Sequence, residues 1–178
     1  MSKDKKTPAK KPVKKPTKKS SLTCGVDVPR GGQIIHHFVL TPKLPKDGKA
    51  RDWELADAET GKEVSLVEVG FCEESNAVEQ VFERAILLVD MAQDKQGSWC
   101  FVDNGAIPCE GSEDYLDAIT TEIANSGKTL VVYIQLDQLG KETVNFSYVA
   151  SFNDNESGEI RVYRSADPGI VVGRPVRP

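Results

Sequence analysis

The sequence predicts an α+β fold: a mainly antiparallel sheet of hairpins and a C-terminal three-strand meander, with two helices packed on one face. Three patterns indicate this: two stretches of apolar residues at helical spacing, one run alternating with period two, and turn residues between short strands. The domain is expected to cover residues 22–165. A disordered basic tail precedes it over 1–21, and an extended Pro/Gly/Arg tail follows over 166–178.

Short strands open the predicted domain. Residues 33–40 are rich in β-branched and aromatic side chains, and Thr41-Pro42 ends the run. Residues 51–58 and 63–71 flank a turn in which Gly61 can supply a positive φ. These two runs are expected to form a hairpin.

The first predicted helix covers residues 76–93. Asn76 and Glu79 have the spacing of a capping box, which would satisfy free amides at the helix start. Apolar residues recur at steps of three and four, as expected for an amphipathic helix on a sheet: Ala77, Val78, Val81, Phe82, Ala85, Ile86, Val89 and Ala92.

The second predicted helix runs from Ser112, as N-cap, to about Asn125, with Gly127 just beyond its end. Three strands, 129–136, 143–152 and 159–164, are then expected to form an antiparallel meander. The middle strand alternates apolar and polar residues, which is typical of a sheet with one covered face.

The first twenty residues carry nine lysines and one acid, a local charge of 9 − 1 = +8, so the rest of the chain carries −4 − 8 = −12. Proline about every four residues prevents a continuous helix, and a flexible lysine segment binds phosphates by releasing counterions. An anionic membrane surface, a solubilising role and a nuclear import signal are the alternatives. The predicted polyanion-binding residues are Lys5, Lys6, Lys10, Lys11, Lys14, Lys15, Lys18 and Lys19.

Cys100 and Cys109 form a candidate redox pair. Asn104-Gly105 is a strong signal for a two-residue hairpin turn, and this turn would place Cys100 opposite Cys109, with Cα atoms about 4.5 Å apart. Pro108 weakens the hairpin because it cannot donate a ladder hydrogen bond. Two reduced thiols, or a metal site completed by Cys72 or a histidine, are the other interpretations.

The remaining candidate chemistry is sparse. His36 and His37 are neighbours in a predicted strand and should face opposite sides, so they cannot share one ion. A Cys-His nucleophile could combine either histidine with Cys24, Cys72 or Cys100, but no local pattern favours one combination. The sequence has no P-loop, GxGxxG, GxSxG or HExxH motif. We therefore predict no catalytic residue, metal or cofactor, and lean against an enzyme.

The leading functional hypothesis is a non-enzymatic binding module: an acidic domain that engages a protein partner and is tethered by its basic tail to nucleic acid or another polyanion. The alternatives are an acidic inhibitor or immunity-like protein, a viral or secretion assembly component with a solubilising tail, and a small hydrolase or nuclease. No run of about 20 apolar residues is present. A soluble protein of the cytoplasm, or of the nucleus in a eukaryote, is expected.

Overall fold

A computed structural model describes residues 22–46, 49, 51–109, 118–136, 140–166 and 169–174. In these residues the chain is mostly β-structure, arranged as two mixed sheets of six strands. The strands are β1 (Thr23–Asp27), β2 (Gln33–Thr41), β3 (Glu54–Asp57), β4 (Glu63–Val64), β5 (Leu66–Gly70), β6 (Arg84–Met91), β7 (Gly97–Pro108), β8 (Ile119–Ala124), β9 (Thr129–Ile134), β10 (Gly140–Asp154), β11 (Ile160–Arg164) and β12 (Gly169–Arg174). Helix α1 (Ala77–Phe82) lies between β5 and β6.

The two sheets form a β-sandwich over one apolar core. Sheet one has the spatial order β1-β5-β12-β10-β11, and β7 pairs with the other edge of β10. Sheet two has the order β4-β3-β2-β6-β9-β8. The pairs β1–β5, β5–β12 and β2–β6 are parallel, and the remaining pairs are antiparallel.

Alternate residues of both sheets face each other across the core. In β6 these are Ala85, Leu87, Val89 and Met91, all buried. From sheet one, the ring of Trp99 lies 4.8 Å from Phe152 and 5.6 Å from Trp53, measured between centroids. Burying side chains of this size contributes about 1.5–3 kcal/mol each, so the shared core holds the sheets together.

The predicted α+β class is wrong, and the first helix shows why. Its start is as expected, because Asn76 and Glu79 form the capping box, but α1 ends at Phe82 and Arg84 begins strand β6. Ile86 and Leu88 lie on the outer side of β6 between the buried residues. Apolar residues on both faces of a strand also satisfy helical spacing, and this misled the prediction.

The second predicted helix is also corrected. Its residues 112–117 lie outside the described residues, whereas 119–124 form strand β8 beside β9. The meander is only partly present: β10 pairs with β11, but β9 belongs to the other sheet. The strand predicted at 33–40 is confirmed. The hairpin predicted from 51–58 and 63–71 is only partly present: β3 and β4 pair around Gly61, whose φ is +68°, but β5 lies in sheet one and pairs in parallel with β1 and β12.

The C-terminal segment differs from the predicted extended tail. Strand β12 lies between β5 and β10, and its residues Ile170 and Val172 are buried in the core. The folded domain therefore continues to Arg174. Among the described residues, no helix is long and apolar enough to span a membrane.

No hairpin turn forms at Asn104-Gly105. Strand β7 continues through these residues, with Phe101 paired to Ala150 and Ala106 paired to Tyr148. The residues between form a bulge with φ of +55° at Asp103 and +72° at Gly105. A Cβ at Gly105 would overlap a methyl group of Leu130 in sheet two, so glycine allows the bulge to pack there.

Candidate functional site at the margin of the two sheets

Three side chains that can bind metals or carry protons meet where the margins of the two sheets approach each other. Cys24 comes from β1, the edge strand of sheet one, and His36 and Asp57 come from β2 and β3 of sheet two. His36 points toward sheet one because its face of β2 is also the face of the buried Phe38 and Leu40. Residues far apart in sequence are thus brought together by the packing of the sheets.

The contacts converge on one atom. His36 Nε2 lies 2.7 Å from Asp57 Oδ2 and 3.6 Å from Cys24 Sγ. The three donor atoms all lie within 4.8 Å of one another. The side chain of His36 is 22% exposed and that of Asp57 is 9% exposed, so the cluster is shielded but reachable from solvent.

The turn that follows β3 fixes the Asp57 carboxylate. Asp57 Oδ1 accepts hydrogen bonds from the backbone N–H of Thr60 at 2.6 Å and from its hydroxyl at 2.7 Å. The Thr60 hydroxyl, the Thr60 N–H and then His36 lower the pKa of Asp57 to about 2. Asp57 is therefore a carboxylate at neutral pH, and its second oxygen points at His36.

The geometry does not match a nucleophilic relay. In such a relay the nucleophile and the orienting carboxylate contact different imidazole nitrogens, whereas Cys24 and Asp57 both contact Nε2 of His36. Burial raises the pKa of the Cys24 thiol, and the nearby Asp57 carboxylate raises it further. A raised pKa disfavours the reactive thiolate. The sequence offered this Cys–His pair as one of several combinations, and the structure brings this one together without the geometry of catalysis.

His37 provides an internal contrast. It faces away from the core, on the side opposite to His36 as the strand alternation predicted, and its Nε2 lies 2.7 Å from Asp90 Oδ2. Asp90 Oδ1 also accepts a hydrogen bond from the Thr129 hydroxyl at 2.6 Å. The His37 and Asp90 side chains are 48% and 42% exposed. This pair has the same spacing as His36–Asp57 but lies on an open surface.

A second charged cluster is closed completely inside the sandwich. Arg174 Nη2 lies 2.6 Å from Glu83 Oε2, and both side chains have no exposed surface. The Arg174 guanidinium also donates to the backbone carbonyls of Cys72 at 2.6 Å and Leu136 at 3.2 Å. This arginine thus joins β12 to segments that follow β5 and β9 and to the residue preceding β6.

Glu83 is equally well held. Its Oε1 accepts hydrogen bonds from the Ser75 hydroxyl and, at 2.9 Å, from the Gly31 N–H. Burial acts to raise the pKa of Glu83, but these two hydrogen bonds and Arg174 outweigh it, and the pKa is lowered. These contacts hold the Arg174–Glu83 cluster in the fold, although Arg174 Nε is buried without a hydrogen-bond partner among the described residues.

An apolar surface lies on the outer side of sheet two and on α1. The cross-strand register places Ile35 beside Ile86, and Ile86 beside Tyr133. Gln135 connects α1 to this side, because its amide donates to the Val81 carbonyl at 3.2 Å and accepts from Arg84 at 3.1 Å. We name the surface formed by Ile35, Ile86, Tyr133, Val78, Val81 and Phe82 the open face.

A cavity of about 480 Å³ adjoins the open face. It is lined by Arg84, Ala118, Thr120, Tyr133 and Gln135. Three residues of α1 are mainly exposed: Val78 at 70%, Val81 at 61% and Phe82 at 59%. A helix that presents its apolar residues to solvent beside a cavity has the form of a docking surface.

The candidate redox pair is not brought together. Cys100 lies in β7 opposite Ser151, and Cys109 follows the same strand, where its N–H donates to Asn145. Neither is in a disulfide, and they are nine residues apart along one strand direction, so they do not face each other. The predicted polyanion-binding lysines, Lys5 to Lys19, lie outside the described residues.

Sequence reasoning missed Asp57 as a site residue. One signal was present: Asp57 is followed three residues later by Thr60 and then Gly61, the pattern of an aspartate that accepts hydrogen bonds from its own turn. The inward direction of His36 could also be inferred from its shared face with Phe38 and Leu40.

Comparison with known proteins gives one family. Residues 22–174 match the model of the DP-EP family, which covers both sheets of the sandwich and begins just after the lysine-rich segment. No curated protein matches the chain.

Proposed function

The chain belongs to the DP-EP family, and we propose that it is a non-enzymatic binding module that engages a basic protein partner. In this proposal the lysine-rich tail tethers the module to nucleic acid or another polyanion. The observation that carries the proposal is the open face, where Val78, Val81 and Phe82 of α1 are more than half exposed.

The open face favours a protein partner. Each large apolar side chain that a partner covers contributes about 1.5–3 kcal/mol at most. The aromatic residues Phe82 and Tyr133 belong to types that are enriched at protein interfaces. The adjoining cavity would accept a side chain of the partner, in the way that interface anchors are usually seated.

The charge of the domain favours a basic partner. Residues 21–178 carry a net charge of −12, from the chain total of −4 and the +8 of the first twenty residues. An acidic surface raises association rates with basic proteins and makes these rates sensitive to salt.

The tail supplies a separate interaction. The acidic domain repels phosphate backbones, so polyanion binding is assigned to the lysines before Leu22. Such binding arises from counterion release, does not depend on nucleotide sequence, and weakens steeply with salt. The two activities are thus separable on the chain.

Partner capture from a lysate of the native host tests the open face, with wild type compared with Phe82→Asp and Val78→Asp. Val162→Asp on β11 is the matched control, because Val162 and Phe82 are both 59% exposed. We expect one basic protein to be retained by wild type and by Val162→Asp, and lost from both α1 variants. Equal capture by all four proteins would contradict the proposal.

A gel-shift series at increasing salt tests the tail, using the full chain and a variant that starts at Ser21. The full chain is expected to bind DNA or RNA of any sequence with a steep salt dependence, and the truncated chain to lose this binding. Unchanged affinity and salt slope after truncation would exclude the tether.

A further inference from the structure

We propose that Cys24, His36 and Asp57 bind a divalent transition-metal ion, with zinc as the metal that best suits the three donors. Thiolate and imidazole favour Zn²⁺ and Co²⁺ over Mg²⁺ and Ca²⁺, which prefer oxygen ligands. The site lies on a different part of the sandwich from the open face, so it does not depend on the function proposed above.

One donor distance already fits a tetrahedral site, one must open, and the third, between the donor atoms of Cys24 and Asp57, lies within 4.8 Å. Bonds of about 2.3 Å to sulfur and about 2.0–2.1 Å to nitrogen and oxygen place neighbouring donors roughly 3.3–3.6 Å apart. Cys24 Sγ and His36 Nε2 are already 3.6 Å apart. His36 Nε2 and Asp57 Oδ2 are closer, at 2.7 Å, because a hydrogen bond joins them. An opening of about 0.6 Å would exchange that hydrogen bond for two metal bonds.

The surroundings hold the donors in place. The two hydrogen bonds from Thr60 fix one oxygen of Asp57 and leave the other for a ligand. The His36 ring packs against Phe38, with centroids 4.7 Å apart. Contacts of this kind orient metal ligands and raise affinity.

Charge and protons also balance. On binding, the Cys24 thiol releases its proton to solvent. The proton that His36 Nε2 donates to Asp57 is exchanged through solvent for one on Nδ1, so that the neutral imidazole binds the ion through Nε2. One thiolate and one carboxylate then neutralise the dication. A neutral complex is far less costly to shield from water than a lone charge.

The site is open rather than closed. Three protein donors leave the fourth tetrahedral position for water or for a ligand from a partner. His36 is partly exposed, which gives that position access to solvent. Because the donors come from β1 of sheet one and from β2 and β3 of sheet two, the ion would link the two sheets.

Cobalt titration of the full chain, freed of metal by chelation, is the direct test. We expect one equivalent of Co²⁺ to produce a thiolate-to-cobalt charge-transfer band in the near ultraviolet and visible bands of a four-coordinate ion. Zn²⁺ should displace the cobalt and abolish both. A titration without a charge-transfer band would overturn the proposal.

Matched variants assign the ligands. Cys24→Ser and His36→Gln are expected to abolish the thiolate band and four-coordinate binding respectively, and Asp57→Asn to weaken binding by more than about tenfold. Cys100→Ser is the thiol control, and His37→Gln is the control for a histidine that also lies 2.7 Å from an aspartate. A band that persists in Cys24→Ser, or is lost in either control, would refute the assignment.

A measurement on unmutated protein covers the case in which a variant fails to fold. Alkylation of the wild-type chain with and without Zn²⁺, read by mass spectrometry, should show Cys24 protected by the metal. Cys72, Cys100 and Cys109 should react equally in both samples. Protection of another cysteine instead of Cys24 would disprove the site.

Discussion

The two charged clusters of the sandwich, one closed inside it and one at its margin, differ in how far their polar atoms are shielded from solvent. In the Arg174–Glu83 cluster both side chains are fully buried and bind four backbone or hydroxyl groups besides each other. In the Cys24–His36–Asp57 cluster three donors point at one place, and the imidazole is partly exposed. The comparison teaches that a buried ion pair held by several hydrogen bonds stabilises the fold, whereas convergent, accessible donors are available for a ligand.

Removing one partner of the Arg174–Glu83 cluster should have the largest effect on the unfolding free energy. Arg174→Met leaves the Glu83 carboxylate buried without its cation, which costs about 3–5 kcal/mol of unfolding free energy. Adding Glu83→Gln to this variant should recover part of the loss, since the uncompensated charge is gone. Urea unfolding of the single and double variants measures both. A single-variant loss below about 1 kcal/mol would mean that the cluster does not hold the sheets together.

The second-largest effect is expected from acid, which should weaken the Arg174–Glu83 cluster. The pKa of Glu83 is lowered in the folded state, so Glu83 stabilises the fold above its ordinary pKa and loses this contribution as pH falls through the lowered value. The unfolding free energy of wild type should therefore exceed that of Glu83→Gln at pH 7 and converge on it in acid. A difference that stays constant with pH would contradict this origin of the stability.

In the Cys24–His36–Asp57 cluster, the Asp57 carboxylate should stay ionised to a lower pH than an ordinary aspartate. The pKa of Asp57 is about 2 in the folded state, so its stabilising contribution is present above its ordinary pKa of 3.8 and is lost between there and about pH 2. Carboxyl NMR titration of the metal-free protein should place the midpoint near 2. A midpoint at the ordinary value would show that Thr60 and His36 do not hold the carboxylate as described.

The surface pair His37–Asp90 provides the baseline for both clusters and the smallest expected effect. Both side chains are more than 40% exposed, and exposed ion pairs contribute about 0–1 kcal/mol. His37→Gln should change the thermal midpoint only slightly and leave cobalt binding unaltered. A shift as large as that of Arg174→Met would show that a short distance alone, without burial, is sufficient for strong stabilisation.

Local patterns in the sequence predicted local structure well. The capping box at Asn76, the turn at Gly61 and the opposite directions of His36 and His37 all depend on residues close in sequence, and each is present. The class of the fold was wrong where one pattern satisfied two structures. Residues 119–124 contain four β-branched side chains, which favour the strand that forms there over the predicted helix.

The candidate metal site could not be predicted in the same way. Cys24, His36 and Asp57 are separated by 12 and 21 positions, and they meet because the fold brings β1 of sheet one against β2 of sheet two. Asn104-Gly105 shows the opposite failure. Its glycine does adopt a positive φ, but in a bulge that packs against Leu130 of the other sheet and not in a hairpin turn.

The position of β12 also bears on how the protein is made. Among the described strands of sheet one, the pair β1–β5 is joined to the group β7–β10–β11 only through β12, where Gly169 pairs with Leu66 across about a hundred residues of chain. During synthesis, sheet one therefore stays in two pieces until residues 169–174 leave the ribosome. Pairings of such large sequence separation form slowly. Until β12 pairs with β5 and β10, the unpaired edges of these two strands are exposed to other chains and to chaperones.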